Sequence, residues 1–293
     1  MKPAAFDYER PSSLTETLGR LATVGEDAKV LAGGQSLIPL MAMRLARPSV
    51  LIDVNQLGDL NFEADRGEYL ELGALTRQRA AERSALVRRT VPLLGEALGH
   101  IGHPQIRNRG TIGGSLAHAD PAAELPTVAV ALDATMVIQR DGGERTIPAA
   151  DFFTGFFTTA LEPEELLTSV RFPALPVNAG CSYKEFSRRH GDFAVVGVAA
   201  VVMLGGDGTI SQAGIALSGV GSVPVRASGA EAAVAGQRPS TQLWEAAGAE
   251  AARDIEPTSD LHGSAEYRRQ LAAHLVADAL GAAAEAASGG NRE

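Results

Sequence analysis

Ala32-Gly33-Gly34-Gln35-Ser36 and Thr111-Ile112-Gly113-Gly114-Ser115 decide how this chain is read. The first stretch follows Val30-Leu31, a short apolar strand. It precedes a segment with Leu37, Leu40, Met41 and Leu45 on one helical face, stopped by Pro48. Small residues in succession let consecutive backbone N–H groups face one concavity, and a helix start beyond them adds partial positive charge. That combination suits a phosphate or pyrophosphate, and Ser36 can add a hydroxyl. A tight turn with a helix cap is the plainer reading of the same residues. The second stretch repeats the chemistry with hydroxyls at both ends, and its plainer reading is a strand running into a turn. Two such loops converging on one diphosphate explain more than either does alone.

Outward from the loops, Ser12-Ser13-Leu14-Thr15-Glu16 opens a helix with Leu14, Leu18 and Leu21 on one face, and Val50–Val54 reads as the next strand. Tyr69–Gly73, Ala134–Gln139 and Leu166–Phe172 read as strands and Leu86–Leu98 as one helix. Pro173 and Pro176 mark a boundary. Beyond it, Ser182–Ser187, Val195–Leu204 and Ile210–Leu217 form three strands, an alanine-rich helix runs over Ala265–Ala287, and Ser288-Gly289-Gly290-Asn291 frays. The expected domains are 1–175, with parts 1–60 and 61–175, and 176–293.

Composition excludes several functions. Lys and Arg total 26 against 35 Asp and Glu, a net charge of −9 without a basic stripe, so nucleic acid is not a partner. The single cysteine, Cys181, cannot make an internal disulfide, a four-cysteine zinc site or an iron–sulfur cluster, and it reads as inert in a reducing, cytoplasmic setting. Met1–Arg10 lacks an apolar signal core, and Val195–Leu204 is half the length of a membrane-spanning helix. No G-x-G-x-x-G follows the early strand, Gly219-Val220-Gly221 runs into Pro224, and no phosphate-binding G-x-x-x-x-G-K-[ST] is present. His100 and His103 have metal-compatible spacing but read as a solvent-facing loop pair, and no metal site is expected. His118-Ala119-Asp120 lacks a nucleophile to serve. Ser187–Phe193 is either a solvated turn or a basic loop beside an anionic or planar ligand. Leu243 and Trp244 read as core.

The loops and their surroundings resemble the FAD-binding medium subunit of the molybdenum hydroxylases, the family of aerobic carbon-monoxide dehydrogenase and xanthine dehydrogenase. Phe6-Asp7-Tyr8 with Pro11 is similar to its opening, and Ala32–Pro39 to its first flavin loop. Ile106–Ser115, Asp120-Pro121 and Glu124-Leu125-Pro126 are similar to the second. Glu165-Leu166-Leu167, Arg171-Phe172-Pro173, Tyr183-Lys184-Glu185-Phe186, Gly191–Ala194, Gly214–Gly221 and Tyr267-Arg268-Arg269 resemble later landmarks.

The resemblance implies an α+β fold: a two-part FAD domain of the vanillyl-alcohol-oxidase type, then a three-stranded antiparallel sheet with a helical bundle. It implies that Ala32, Gly33, Gly34, Gln35 and Ser36 wrap the FAD diphosphate from one side and Thr111, Ile112, Gly113, Gly114 and Ser115 from the other. Lys29, Val30, Leu31 and Leu37 flank the nucleotide, Glu124 lies near the ribose and diphosphate, and Leu166 and Leu167 lie near the adenine. Ile101, Phe193 and Lys184 approach the isoalloxazine. The implied partners are a [2Fe-2S] small subunit, a molybdopterin large subunit and a terminal electron acceptor. No side chain is needed as acid, base or nucleophile. A self-contained flavin oxidoreductase and a non-redox assembly module are the alternatives, and the complex's substrate is left open.

Overall fold

The computed structural model describes residues 2–289, so Met1 and the Gly290-Asn291 part of the expected frayed end lie outside the described residues. Ser13 caps the first helix, Leu14–Val24. Its hydroxyl accepts the Glu16 N–H at 3.2 Å, and the Glu16 carboxylate accepts the Ser12 N–H at 2.7 Å. The helix buries Leu18 and Leu21 against a three-stranded parallel sheet ordered Asp7–Glu9, Val50–Asp53, Ala28–Leu31. The helix after the first loop is shorter than its apolar pattern predicts. It covers Leu37–Ala42, and Arg44 at φ 60° turns the chain, so Leu45 leaves the apolar face and stands 73% exposed.

A five-stranded antiparallel sheet follows, ordered Glu63–Asp65, Tyr69–Gly73, Leu166–Pro173, Thr135–Arg140, Gly143–Pro148. Helices Ile112–His118 and Glu124–Ala131 bury apolar faces in its core. The single helix expected over Leu86–Leu98 is two, Ala85–Thr90 and Pro92–His100. Pro92 has no N–H to continue the first helix but suits the first turn of a second, and Val91 leaves helical geometry between them.

The last sheet is antiparallel and ordered Ala179–Phe186, Val196–Leu204, Ile210–Ser218, Val225–Arg226. Its three long strands are the expected ones, and a two-residue fourth extends the edge. Strand alternation divides its side chains. Val196, Val198, Ala200 and Val202 pack with Trp244 and the helix Ala265–Ser288, while Tyr183, Ala199, Val201 and Ala216 join the core of the five-stranded sheet. No helix among the described residues is long and apolar enough to cross a membrane.

Candidate cofactor site

The first loop joins the strand Ala28–Leu31 to the helix Leu37–Ala42. Gly34 sits at φ +74°, which an L side chain rarely adopts. Gly33 lies flush against the second loop: a Cβ there would fall onto the Arg109 carbonyl and 2.9 Å from the Gly110 Cα. The loop's carbonyls are engaged. Gly33 accepts the Gln35 Nε2 at 3.1 Å, Gly34 the Ile38 N–H at 3.1 Å, and Ser36 the Leu40 N–H at 3.1 Å. The N–H groups of Gly33, Gly34, Gln35 and Ser36 find no acceptor among the described residues. Gly33, Gly34 and Gln35 line an open pocket together with Leu31, Ile38, Pro39 and Arg109. Consecutive free N–H donors beside an unpaired guanidinium form an anion site, and they fit the diphosphate of FAD.

The second loop works differently from the sequence expectation. It is the first turn of the helix Ile112–His118, with Thr111 as cap. Its N–H groups are consumed inside the protein: Ile112 donates to Thr76 O at 2.9 Å, Gly113 to Ala74 O at 2.9 Å, Gly114 to Thr111 Oγ1 at 3.0 Å and Ser115 to Thr111 O at 3.2 Å. Docking this turn against residues 73–76 spends the donors that a free loop would have offered. The loop therefore offers no second set of free backbone donors, and Ser115 is half-buried. Gly113 is there for close approach, since its Cβ would lie 2.5 Å from the Ala74 Cβ. A Cβ on Gly114 would stand 3.7 Å from the Ala32 Cβ, so the two loops do converge.

Of the other candidates, Lys29 is exposed, Val30 packs on the N-terminal core, and Leu37 opens the helix beyond the pocket. Leu166 and Leu167 are 7% and 4% exposed and fill separate cores, the first under the parallel sheet and the second under the five-stranded one. Neither lines the pocket beside the first loop. Glu124, expected near the ribose and diphosphate, is not among the residues lining the pocket beside the first loop. It is 7% exposed at the start of the helix Glu124–Ala131, and His100, Glu185 and Asp120 are the charges acting on it. Burial pushes its carboxyl up to about 8.

His100 is half-buried, its Nδ1 3.4 Å from Glu185 Oε1 and its ring 5.2 Å from that of Tyr183, which replaces the expected solvent-facing histidine pair. The Glu185 carboxylate comes from a strand far along the chain, Ala179–Phe186, so the spacing of the histidines did not reveal it. His103 carries Gly191 on its ring face, and its centroid lies 5.7 Å from that of His190. The segment Ser187–Phe193 is thus folded over the end of the helix Pro92–His100. Ile101 is buried there, Lys184 faces Asp278 at 3.4 Å, and Phe193 is 68% exposed. Tyr183 Oη, Glu185 Oε2 and Ser218 Oγ are buried around this junction without a hydrogen bond of good geometry.

Sequence reasoning gave no site role to the polar residues that brace the two loops. Tyr8 Oη donates to Asp53 Oδ2 at 2.6 Å, Asn55 Nδ2 to the Ala32 carbonyl at 2.8 Å, and Arg77 Nη2 to Asn55 Oδ1 at 2.7 Å. Tyr8, Asp53 and Arg109 lay in stretches the sequence had singled out, Asn55 and Arg77 in none.

Residues 4–175 match the family model described as the FAD binding domain in molybdopterin dehydrogenase, and residues 181–283 match the CO dehydrogenase flavoprotein C-terminal domain. Subunit alpha of the 6-hydroxypseudooxynicotine dehydrogenase complex of Paenarthrobacter nicotinovorans is 44% identical, over 94% of this chain and 93% of that one. The solved carbon monoxide dehydrogenase from Hydrogenophaga pseudoflava superposes with a TM-score of 0.95 at 40% identity, covering 98% of this chain and 99% of that one. Quinoline 2-oxidoreductase from Pseudomonas putida 86 gives 0.93 at 37% identity, with 98% and 99% covered. Fold and site together define an FAD-binding flavoprotein of an oxidoreductase complex. Within that class, the chain belongs to the medium-subunit family of the molybdenum hydroxylases, which includes the carbon monoxide dehydrogenase medium chain.

Proposed function

We propose that this chain takes electrons from a [2Fe-2S] subunit onto FAD and passes them to a terminal acceptor, while a separate molybdopterin subunit oxidises the substrate. The observation that carries the reading is the pairing of a donor-lined dinucleotide loop with a single cysteine. The chain can hold FAD but no iron–sulfur cluster, so single electrons have to come from another chain. FAD supplies the capacity to take up two electrons and release them to an acceptor.

The protein's part is positional. The Gly33–Ser36 N–H groups and Arg109 hold the diphosphate. Ile101, Lys184 and Phe193 border the isoalloxazine in this reading. The substrate is the large subunit's concern, in keeping with relatives named for carbon monoxide, quinoline and 6-hydroxypseudooxynicotine.

Stopped-flow mixing of the FAD-loaded chain with its reduced iron–sulfur partner, without oxygen, tests this. Bleaching of the flavin band is the expected result. A flavin that stays oxidised, or turnover of an organic substrate by this chain alone, overturns the proposal.

A further inference from the structure

We propose that Asn55 and Arg77 are positioning residues for FAD, forming a clamp that ties the first loop to the second and sets the width of the diphosphate site. The proposal rests on FAD as the cofactor and is independent of the electron-transfer reading.

Asn55 lies two residues beyond the central strand of the parallel sheet, Val50–Asp53. Its Nδ2 donates to the carbonyls at the head of the first loop, Ala32 O at 2.8 Å and Leu31 O at 3.3 Å, and to Asp53 Oδ1 at 2.6 Å. Its Oδ1 is thereby turned to the opposite side, where it accepts Arg77 Nη2 at 2.7 Å. The other end of the guanidinium, Nη1, donates to the Arg109 carbonyl, and the Arg77 backbone bridges to Thr111. The side chains of Asn55 and Arg77 therefore run from one loop to the other. Asp53 steadies the near end, accepting from Tyr8 Oη at 2.6 Å and from the Asn55 N–H at 2.9 Å.

The carbonyl that Arg77 grips is the one against which Gly33 rests. Contact at Gly33 sets how close the loops can come, and the Asn55–Arg77 bridge sets how far apart they can move. A site limited from both sides is preorganised, so binding does not have to order it.

The charge arrangement points the same way. Among the described residues neither Arg77 nor Arg109 has a carboxylate within ion-pair distance. Burial, and then repulsion from Arg109, hold the Arg77 guanidinium below its ordinary range, with Asp53 opposing. Two cations with one nearby carboxylate leave the site short of negative charge. A diphosphate supplies it, with exposed Arg109 free to face the anion while Arg77 is committed to the bridge.

The test uses the full chain: FAD affinity by flavin fluorescence quenching at two salt concentrations, and thermal unfolding without FAD. Asn55→Ala and Arg77→Ala should each weaken FAD binding by roughly 10- to 100-fold while the FAD-free protein melts close to wild type. The double variant should lose little more than either single one, because both break the same bridge. Arg77→Lys keeps the charge, and so the salt dependence, but cannot span two acceptors; it should bind nearly as weakly as Arg77→Ala. If an alanine variant does not fold, Arg77→Lys alone decides. Variants that bind FAD as the wild type does, losses that simply add, or affinity that falls only in step with the melting temperature overturn the clamp. A wild-type chain that takes up no FAD would sink the cofactor assignment first, a separate outcome.

Discussion

At the residue scale, Gly33 and Gly34 are glycines for different reasons, and substitution should separate them. Gly34→Val meets a φ of +74° with Leu31 and Ile38 atoms already 3.1 Å from its Cβ. Such strain costs about 1–2 kcal/mol for the backbone alone in that region, and it disturbs the free N–H groups. The expected outcome is a purified chain without bound flavin, read from its visible spectrum, and a normal flavin complement would contradict the geometry. The loop's small residues made this half of the site legible in the sequence, since free donors and positive φ both follow from lacking side chains. Asn55 and Arg77 were not legible. They act through carbonyls of residues far away in the chain, and nothing in their own neighbourhoods marks them.

At the element scale, the second loop shows what periodicity and composition leave out. Thr111-Ile112-Gly113-Gly114-Ser115 has the composition of a phosphate loop, yet it is a helix start whose N–H groups go to residues 74, 76 and 111. Whether a donor is free depends on what docks beside it, which is a tertiary fact. Likewise the apolar face of Leu86–Leu98 is genuine, but Pro92 divides it. Thr111→Ala should therefore act mainly on stability: losing a side-chain cap costs about 1 kcal/mol, seen as a lower denaturation midpoint with and without FAD. A large loss of FAD affinity at unchanged stability would mean that the hydroxyl meets the ligand directly.

At the scale of the whole molecule, the long strands were legible from alternation, while the order of the five-stranded sheet was not, because Leu166–Pro173 inserts between strands far earlier in the chain. That insertion helps to build the core shared with the C-terminal sheet, and the shared junction carries a pH dependence. Glu124 is buried there, with Glu185 and Asp120 raising its pKa and its own backbone N–H and His100 lowering it. A carboxyl raised from 4.5 to about 8 keeps a proton in the folded chain that the unfolded chain gives up. Its contribution to stability is thus complete below the ordinary carboxylate range and lost as pH rises through about 8. His100 adds to the trend: its hydrogen bond to Glu185 raises its pKa, so its contribution is also lost on going alkaline. Asp53 and Glu165 lean the other way, their net lowered pKa values making them lose stability in acid. Melting temperatures across this range should fall towards alkaline pH, and Glu124→Gln, neutral throughout, should flatten that fall without changing the acid limb. A Glu124→Gln profile parallel to the wild type would mean that Glu124 is already ionised at neutral pH and that the junction accommodates the charge.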